Sequence, residues 1–137
     1  MRKIALDIGD VRIGIAVSDM LGMIAGGTET YTRRGMVNDM RYIADYCKAR
    51  EADTIVLGLP INMDGSEGER AIKTREFAEE LQKHTDAKIV FQDERLTTVQ
   101  AERMLIDGGV RRDKRKKVVD KVAAAIILQS YLDRINY

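Results

Sequence analysis

The chain has 137 residues, of which 45% are hydrophobic and 33% charged, with one proline and one cysteine. This length fits one globular domain, and the composition excludes a disordered tail, a collagen-like fibre and a fold held by internal disulfides. No apolar run approaches the roughly 18 residues of a membrane span, and the N-terminus reads as a strand rather than a signal peptide. We therefore expect a single domain over residues 1–137 in the cytoplasm, with no membrane partner.

The net charge of +1 hides a local excess of basic residues. Residues 111–117 read Arg-Arg-Asp-Lys-Arg-Lys-Lys and carry +5 between them, so the rest of the chain is net negative. Such a block is typical either of a phosphate-contacting patch or of a solvated loop or helix start. Aromatic residues make up only 5% of the chain, without tryptophan, so stacking platforms for single-stranded nucleic acid are not expected.

Apolar periodicity and turn residues predict five strands and several helices in chain order. The predicted strands are Lys3–Ile8, Arg12–Ser18, Thr28–Thr32, Thr54–Gly58 and Lys88–Gln92. A helix is predicted from Met36, a second from the capping-box pattern Ser66–Glu69 to about His84, a third from the Thr97 pattern to about Ile106, and a last one from about Val118 to Leu132.

This order predicts an α/β fold with a mixed sheet. Three consecutive strands indicate an antiparallel meander, whereas the later alternation of strands and helices requires two parallel strands and helices on both faces. Ligands bind such sheets beyond the carboxyl ends of the parallel strands. The functional site is therefore predicted just after strands one, four and five.

Carboxylates fall at those strand ends and on the last helix. Asp7 lies on the face of the first strand opposite Ile8, where a sheet covered on both sides calls for an apolar residue. Asp93 and Glu94 end the fifth strand, and alternation directs only one of them to the cleft. Asp120 lies on the apolar stripe of the last helix. Each position also has a purely structural alternative. Asp7 could be a turn aspartate, Asp93 and Glu94 a polar exit from the strand, and Asp120 an aspartate in the first turn of its helix.

If these carboxylates converge, they form a hard, oxygen-rich site. The chain has one histidine and one cysteine, which disfavours zinc and favours Mg²⁺ or Mn²⁺. Two such ions about 4 Å apart support in-line displacement at a phosphodiester.

Several motifs in order resemble the YqgF/RuvX family. They are Asp7-Ile8-Gly9, Arg12-Ile13-Gly14, Gly58-Leu59-Pro60, Met63-Asp64-Gly65-Ser66-Glu67-Gly68, Asp93-Glu94-Arg95-Leu96-Thr97-Thr98 and Asp120. The resemblance covers essentially the whole chain. It implies an RNase H-like (RuvC resolvase-like) fold and a nuclease acting in 5′-end maturation of pre-16S rRNA or on Holliday junctions.

The resemblance also implies roles for particular residues. The family's acidic triad maps onto Asp7, Glu94 and Asp120 as catalytic and metal-binding residues, with Glu94 preferred over Asp93, and Mg²⁺ or Mn²⁺, in two ions, as the cofactor. Asp10 departs from the family's pattern, and we expect its side chain to face solvent. The expected nucleic-acid-binding residues are basic: Arg12, Arg75, Arg95, Arg111, Arg112, Lys114, Arg115, Lys116 and Lys117.

Three function classes remain open at this point. The first is a metal-dependent nuclease acting on structured RNA, including a ribosomal precursor, or alternatively on branched DNA. The second is a phosphotransferase, because the first motif also resembles the phosphate loop of actin-like ATPases and sugar kinases, although one domain of this length cannot close over ATP as their two domains do. The third is a non-catalytic nucleic-acid-binding factor. A monomer or weak homodimer is expected.

Overall fold

The structure is a computed structural model that describes residues 1–94 and 112–136, with residues 112–121 described by their backbone alone. In this part of the chain the elements are β1 (Arg2–Ile8), β2 (Arg12–Ser18), β3 (Ala25–Thr32), α1 (Met36–Ala49), β4 (Ala52–Leu59), α2 (Glu69–Gln82), β5 (Lys88–Asp93) and α3 (Arg112–Asn136).

The five strands form one mixed sheet in the order β3-β2-β1-β4-β5. The pairs β1–β2 and β2–β3 are antiparallel, and the pairs β1–β4 and β4–β5 are parallel. The predicted meander with two added parallel strands is confirmed. The carboxyl ends of β1, β4 and β5 therefore meet at one edge of the sheet.

Alternating side chains divide the core between the two faces of the sheet. Ile4 and Leu6 of β1 are fully buried against α1 and α2, while Ala5, between them, is buried against α3. Ala124 and Leu128 are the fully buried residues by which α3 packs against this second face. The small side chains at positions 5 and 124 allow the helix to approach the strands closely.

The hairpin between β2 and β3 lies at the opposite end of the sheet from the carboxyl ends of β1, β4 and β5. The Asp19 carboxylate accepts hydrogen bonds from the backbone N–H groups of Met23 (2.8 Å) and Ile24 (3.1 Å). Helix α3 holds the same hairpin, because Asn136 Nδ2 donates to the carbonyl oxygen of Gly22 at 3.1 Å. A Cβ at Gly22 would lie 3.7 Å from the carbonyl oxygen of Met1. Both described ends of the chain thus adjoin this hairpin.

Element boundaries differ from the sequence predictions mainly at the helices. Strand β3 begins at Ala25 rather than Thr28, and α3 begins at Arg112, so the basic block continues into a helix. The predicted capping box of α2 is wrong, because Gly68 is the N-cap and Ser66 donates its hydroxyl to Asp64 instead. The helix predicted from Thr97 lies outside the described residues.

None of the described helices is both long and apolar enough to cross a bilayer.

Candidate functional site

Asp7 lies at the carboxyl end of β1, half-buried on the face of the sheet that α3 covers. Gly14 of β2 is its register partner on one side. On the other side, the pairing of Leu6 with Leu57 brings Gly58 of β4 level with Asp7. Glycines on both neighbouring strands leave space around this carboxylate that side chains fill elsewhere in the sheet.

Glu94 fills the space over Gly58. Its backbone N–H donates to the carbonyl oxygen of Leu59 at 3.1 Å, which continues the parallel pairing of β5 with β4 one residue beyond Asp93. A Cβ at Gly58 would lie only 2.7 Å from Glu94 Oε2. The glutamate side chain therefore lies where any residue other than glycine at position 58 would place its own side chain.

Glu94 and Asp7 are hydrogen-bonded to each other. Burial, together with the negative charge of Asp7 and this hydrogen bond, raises the pKa of Glu94 to about 8, although the nearby positive charge of Arg70 opposes the rise. The two carboxyl groups therefore share a proton at neutral pH in the absence of a cation. The strand ends bring together two of the three predicted acidic residues.

The neighbouring acidic residues lie differently. The side chain of Asp10 is 86% exposed, with its Oδ1 3.9 Å from Lys73 Nζ, as expected of a solvent-facing residue. Asp93 is exposed at the end of β5, although its charge still contributes to the raised pKa of Glu94. Of the adjacent pair, it is Glu94 that contacts Asp7.

Asp120 lies in α3, seven residues before Ile127. Two helical turns separate these positions, so both lie on the same side of the helix. Ile127 reaches the site, because its Cδ1 would lie 2.5 Å from a Cβ at Gly58. The backbone of α3 thus continues past Gly58 toward the strand ends. The side chain of Asp120 lies outside the described part of the chain. Within the described part, no group of three histidine, cysteine or acidic residues is placed to hold a metal ion.

Comparison with known proteins identifies the family. A family model described as "RuvX: Holliday junction resolvase" matches residues 1–134. The chain belongs to the RuvX family. A Halothermothrix orenii relative, named as a candidate pre-16S rRNA nuclease, is 52% identical over 136 residues, covering 99% of this chain and 97% of its own. A Halalkalibacterium halodurans relative of the same name is 53% identical over 137 residues, covering 98% and 97%.

Solved structures show the same fold at low identity. The fowlpox virus resolvase bound to Holliday junction DNA has a TM-score of 0.66 at 15% identity, with both chains fully covered. RuvC from T. thermophilus, in complex with a Holliday junction substrate, has a TM-score of 0.61 at 12% identity, covering 98% of this chain and 96% of its own. The predicted RNase H-like, RuvC-like fold is confirmed for this RuvX-family chain.

The predicted phosphate-binding arginines have different surroundings. Arg75 makes a bidentate ion pair with Glu67, at 2.7 Å and 2.8 Å, which ties the loop before α2 to the helix. Arg12 begins β2. The backbone of α3 includes Arg112, Lys114, Arg115, Lys116 and Lys117, whereas Arg95 and Arg111 lie outside the described residues.

A buried ion pair next to the site was missed by the sequence analysis. Asp39 of α1 is fully buried, and Arg33 Nε donates to its Oδ2 at 2.9 Å. Arg33 also donates through Nη1 to the carbonyl oxygen of Gly9 at 3.0 Å, so the pair holds the turn that follows Asp7. Asp39 occupies the apolar stripe of α1, three residues after Met36. The argument that singled out Asp120 could therefore have found it.

The environment of Asp39 favours its ionised form. Burial alone would raise its pKa, but the backbone N–H of Arg34 and the side chains of Arg33 and Tyr31 donate hydrogen bonds that lower the pKa below its ordinary value. The carboxylate therefore stays charged and continues to fix Arg33 against the turn.

Proposed function

We propose that this chain is a metal-dependent nuclease that hydrolyses phosphodiester bonds during 5′-end maturation of pre-16S rRNA. The observation that supports it best is the hydrogen-bonded pair of Asp7 and Glu94 at the carboxyl ends of the strands. Two carboxyl groups held together at the edge of the sheet where such folds bind ligands, with the pKa of one raised, favour a catalytic role.

The donor set fits a divalent cation. Asp7 and Glu94 offer carboxylate oxygens, the ligands preferred by Mg²⁺ and Mn²⁺, and the proton that they share is one that a cation can replace. Asp120 would supply the third carboxylate. When bound, two such ions would supply an activated water and stabilisation of the leaving oxygen.

The chain's own residues have distinct parts in this proposal. Asp7 and Glu94 supply the ligand oxygens, and the glutamate is fixed by its backbone hydrogen bond to Leu59 and by the space over Gly58 that its side chain fills. Arg33 fixes the turn that follows Asp7 by donating a hydrogen bond to the Gly9 carbonyl oxygen. The basic residues of α3 would hold the nucleic-acid backbone near Asp120.

Precursor rRNA is the preferred substrate because the relatives at about 50% identity carry that name. This role assigns the protein to the cytoplasm, where the precursor is processed, and gives it structured RNA as its partner. Branched DNA is the second candidate substrate, supported by the description of the matching family. A non-catalytic binding factor is the third candidate, and a monomer or weak homodimer remains the expectation.

Cleavage of two substrates in parallel tests the proposal. A 5′-extended 16S rRNA precursor and a four-way DNA junction are incubated with the protein in Mg²⁺, in Mn²⁺ and in EDTA. We expect metal-dependent cleavage of the RNA, abolished in Asp7→Asn, Glu94→Gln and Asp120→Asn. Glu79→Gln removes the charge of an exposed glutamate on α2 and serves as the matched control, with activity unchanged.

Each result separates the candidates. Cleavage of the junction alone, lost in the same variants, would assign resolution instead of rRNA maturation. Wild-type protein that cuts neither substrate, or acidic variants that cut as well as wild type, would contradict catalysis and favour the binding factor.

A further inference from the structure

A cleft of about 280 Å³ opens beside the carboxylates, on the side of the sheet covered by α1 and α2. The turn after β1, at residues 8–10, forms one wall. The other wall is the first part of α2, with Arg70, Lys73, Thr74, Glu76 and Phe77. Because Ile8 directly follows Asp7, the cleft and the carboxylate pair share one edge of the sheet.

Arg70 connects the cleft to the carboxylate pair. It lines the cleft, and its positive charge also acts on Glu94, lowering the pKa that burial and Asp7 raise. Arg70 thus lines the cleft and lies near enough to the carboxylates of the proposed reaction for its charge to act on them. A nucleic-acid strand passing over the strand ends would therefore meet Arg70.

Arg70 differs from the other nearby arginines in having no assigned partner. Arg75 donates to Glu67 through Nε and Nη2, and Arg33 donates to Asp39 and to the Gly9 carbonyl. Among the described residues, the exposed Arg70 side chain makes no hydrogen bond or ion pair beyond its charge interaction with Glu94. Its planar fork of donors is thus available for bidentate contact with a phosphate.

Lys73 adds a second cation to the same helix face. Its Nζ lies 3.6 Å from Glu69 and 3.9 Å from Asp10, and its side chain is 56% exposed. Exposed ion pairs at such distances contribute little free energy and are readily exchanged. Residues three apart on a helix are neighbours, so Arg70 and Lys73 can reach one group. Asp10 and Glu76 limit the positive charge of the cleft, which favours one phosphate over a polyanionic cluster.

We propose that Arg70 and Lys73 bind a backbone phosphate of the substrate strand next to the one that is cleaved. The strand would run from the cleft, over Asp7 and Glu94, toward the first turns of α3. This inference rests on the proposed nuclease function and adds a phosphate site on the opposite side of the carboxylates from the basic block.

The first test measures binding without cleavage. The probe is a fluorescein-labelled 5′-extended fragment of a 16S rRNA precursor in EDTA, titrated by anisotropy at several KCl concentrations. We expect Arg70→Gln to weaken binding several-fold and to reduce the slope of log Kd against log salt by about 0.7–0.9. Lys73→Gln should act in the same direction more weakly. Arg41→Gln, an exposed arginine of α1, removes the same charge and should change neither quantity.

A second test identifies the phosphate. Single neutral methylphosphonates are placed along the probe strand. One position should weaken binding of wild type and of Arg41→Gln but not of Arg70→Gln, because the contact is already lost. Thermal unfolding midpoints equal to that of wild type exclude a folding defect in the variants. Lys73→Gln, tested with the same probes, gives a second measurement of the contact.

The outcomes separate this inference from the nuclease function. If wild type binds and cleaves RNA while Arg70→Gln matches Arg41→Gln in affinity, salt slope and methylphosphonate pattern, the cleft proposal is overturned and the nuclease function stands. If binding depends on Arg70 but no substrate is cut, the cleft is supported and the nuclease function fails. Wild-type protein that binds no nucleic acid overturns both.

Discussion

Glu94 takes up a proton on folding because its carboxyl group is buried beside Asp7. Its pKa is about 8 in the folded protein, against an ordinary value of 4.5. The folded state therefore binds a proton that the unfolded chain releases between these two pH values. The stability contributed by this proton is complete below about pH 4.5 and is lost as the pH rises through 8.

Glu94→Gln should remove this pH dependence in metal-free protein. The carboxamide keeps the size of the protonated acid and can donate a hydrogen bond to Asp7, without the charge. At pH 8 in EDTA we expect its free energy of unfolding to exceed that of wild type by on the order of 1–3 kcal/mol, with the difference shrinking toward pH 5. Urea denaturation across this pH range measures it.

The exposed Glu79→Gln is the control for that titration and should follow wild type. A Glu94→Gln variant that is no more stable than wild type at pH 8 would contradict the raised pKa.

Gly58→Ala should reduce activity more than stability. The new Cβ would lie 2.7 Å from Glu94 Oε2 and 2.5 Å from Ile127 Cδ1, so both side chains must move. Overpacking of this kind costs about 1–3 kcal/mol, whereas misplacing a catalytic group by about 1 Å lowers the rate by about 10²-fold. Cleavage rate and urea denaturation are measured on the same preparation.

Gly27→Ala on β3 is the matched control, because its Cβ would lie 3.4 Å from Val17 Cγ1, an ordinary contact. It should retain wild-type cleavage. Full activity in Gly58→Ala would show that the position of Glu94 does not matter for the reaction.

Individual residues were only partly predictable. Strand alternation assigned Asp7 to the face opposite Ile8, and the structure confirms that face. The choice between Asp93 and Glu94 came from the family resemblance, because alternation does not say which member of a terminal pair turns inward. The register of β5 on β4 decides it: Asp93 pairs with Leu59 and the Glu94 N–H bonds to the Leu59 carbonyl oxygen, so the glutamate side chain takes the alternate face, over Gly58.

At the scale of elements, the pair Arg33–Asp39 joins the end of β3, the start of α1 and the turn after β1. Asp39→Asn should lower the free energy of unfolding by about 3–5 kcal/mol at neutral pH, because it leaves the charge of Arg33 without its buried partner. Urea denaturation measures the loss. Asp45→Asn, an exposed aspartate on the same helix, should cost much less. Equal effects of the two substitutions would mean that the buried ion pair contributes no more free energy of unfolding than an exposed aspartate.

Strand β2 and the start of α1 were predicted to the residue, whereas the starts of β3, α2 and α3 were not. Arg12–Ser18 carries a strong signal because it is an apolar, β-branched run that follows turn residues. The start of α2 was misplaced because Ser66 and Glu69, the two side chains of the predicted capping box, have other partners. Asp64 accepts from the serine hydroxyl, and Glu69 lies 3.6 Å from Lys73. A capping box does not form when its two side chains bind other groups.

At the scale of the whole molecule, charge separates into a basic block at the start of α3 and a net negative remainder. The double variant Lys114→Gln/Lys117→Gln should weaken RNA binding and flatten its salt slope by about 1.5–2. Arg41→Gln/Lys48→Gln removes equal charge from α1 and should leave the slope unchanged. An unchanged slope in the first variant, measured by anisotropy against KCl, would exclude the block from the interface.

The topology followed from the order of elements, since strand–helix alternation requires parallel pairing and the opening strands form a meander. Convergence of distant carboxylates did not follow. It depends on the registers of β1 with β4 and of β4 with β5, both of which are set by packing. The third member of the triad, Asp120, stays a prediction.

The hairpin at Gly22 adjoins Met1 on one side and Asn136 on the other, at the end of the sheet opposite the carboxylates. A label or surface linker attached near either residue therefore leaves the strand ends facing solution. The protein can be immobilised through this end with Asp7 and Glu94 facing solution, and long or folded nucleic acids will reach them without meeting the support.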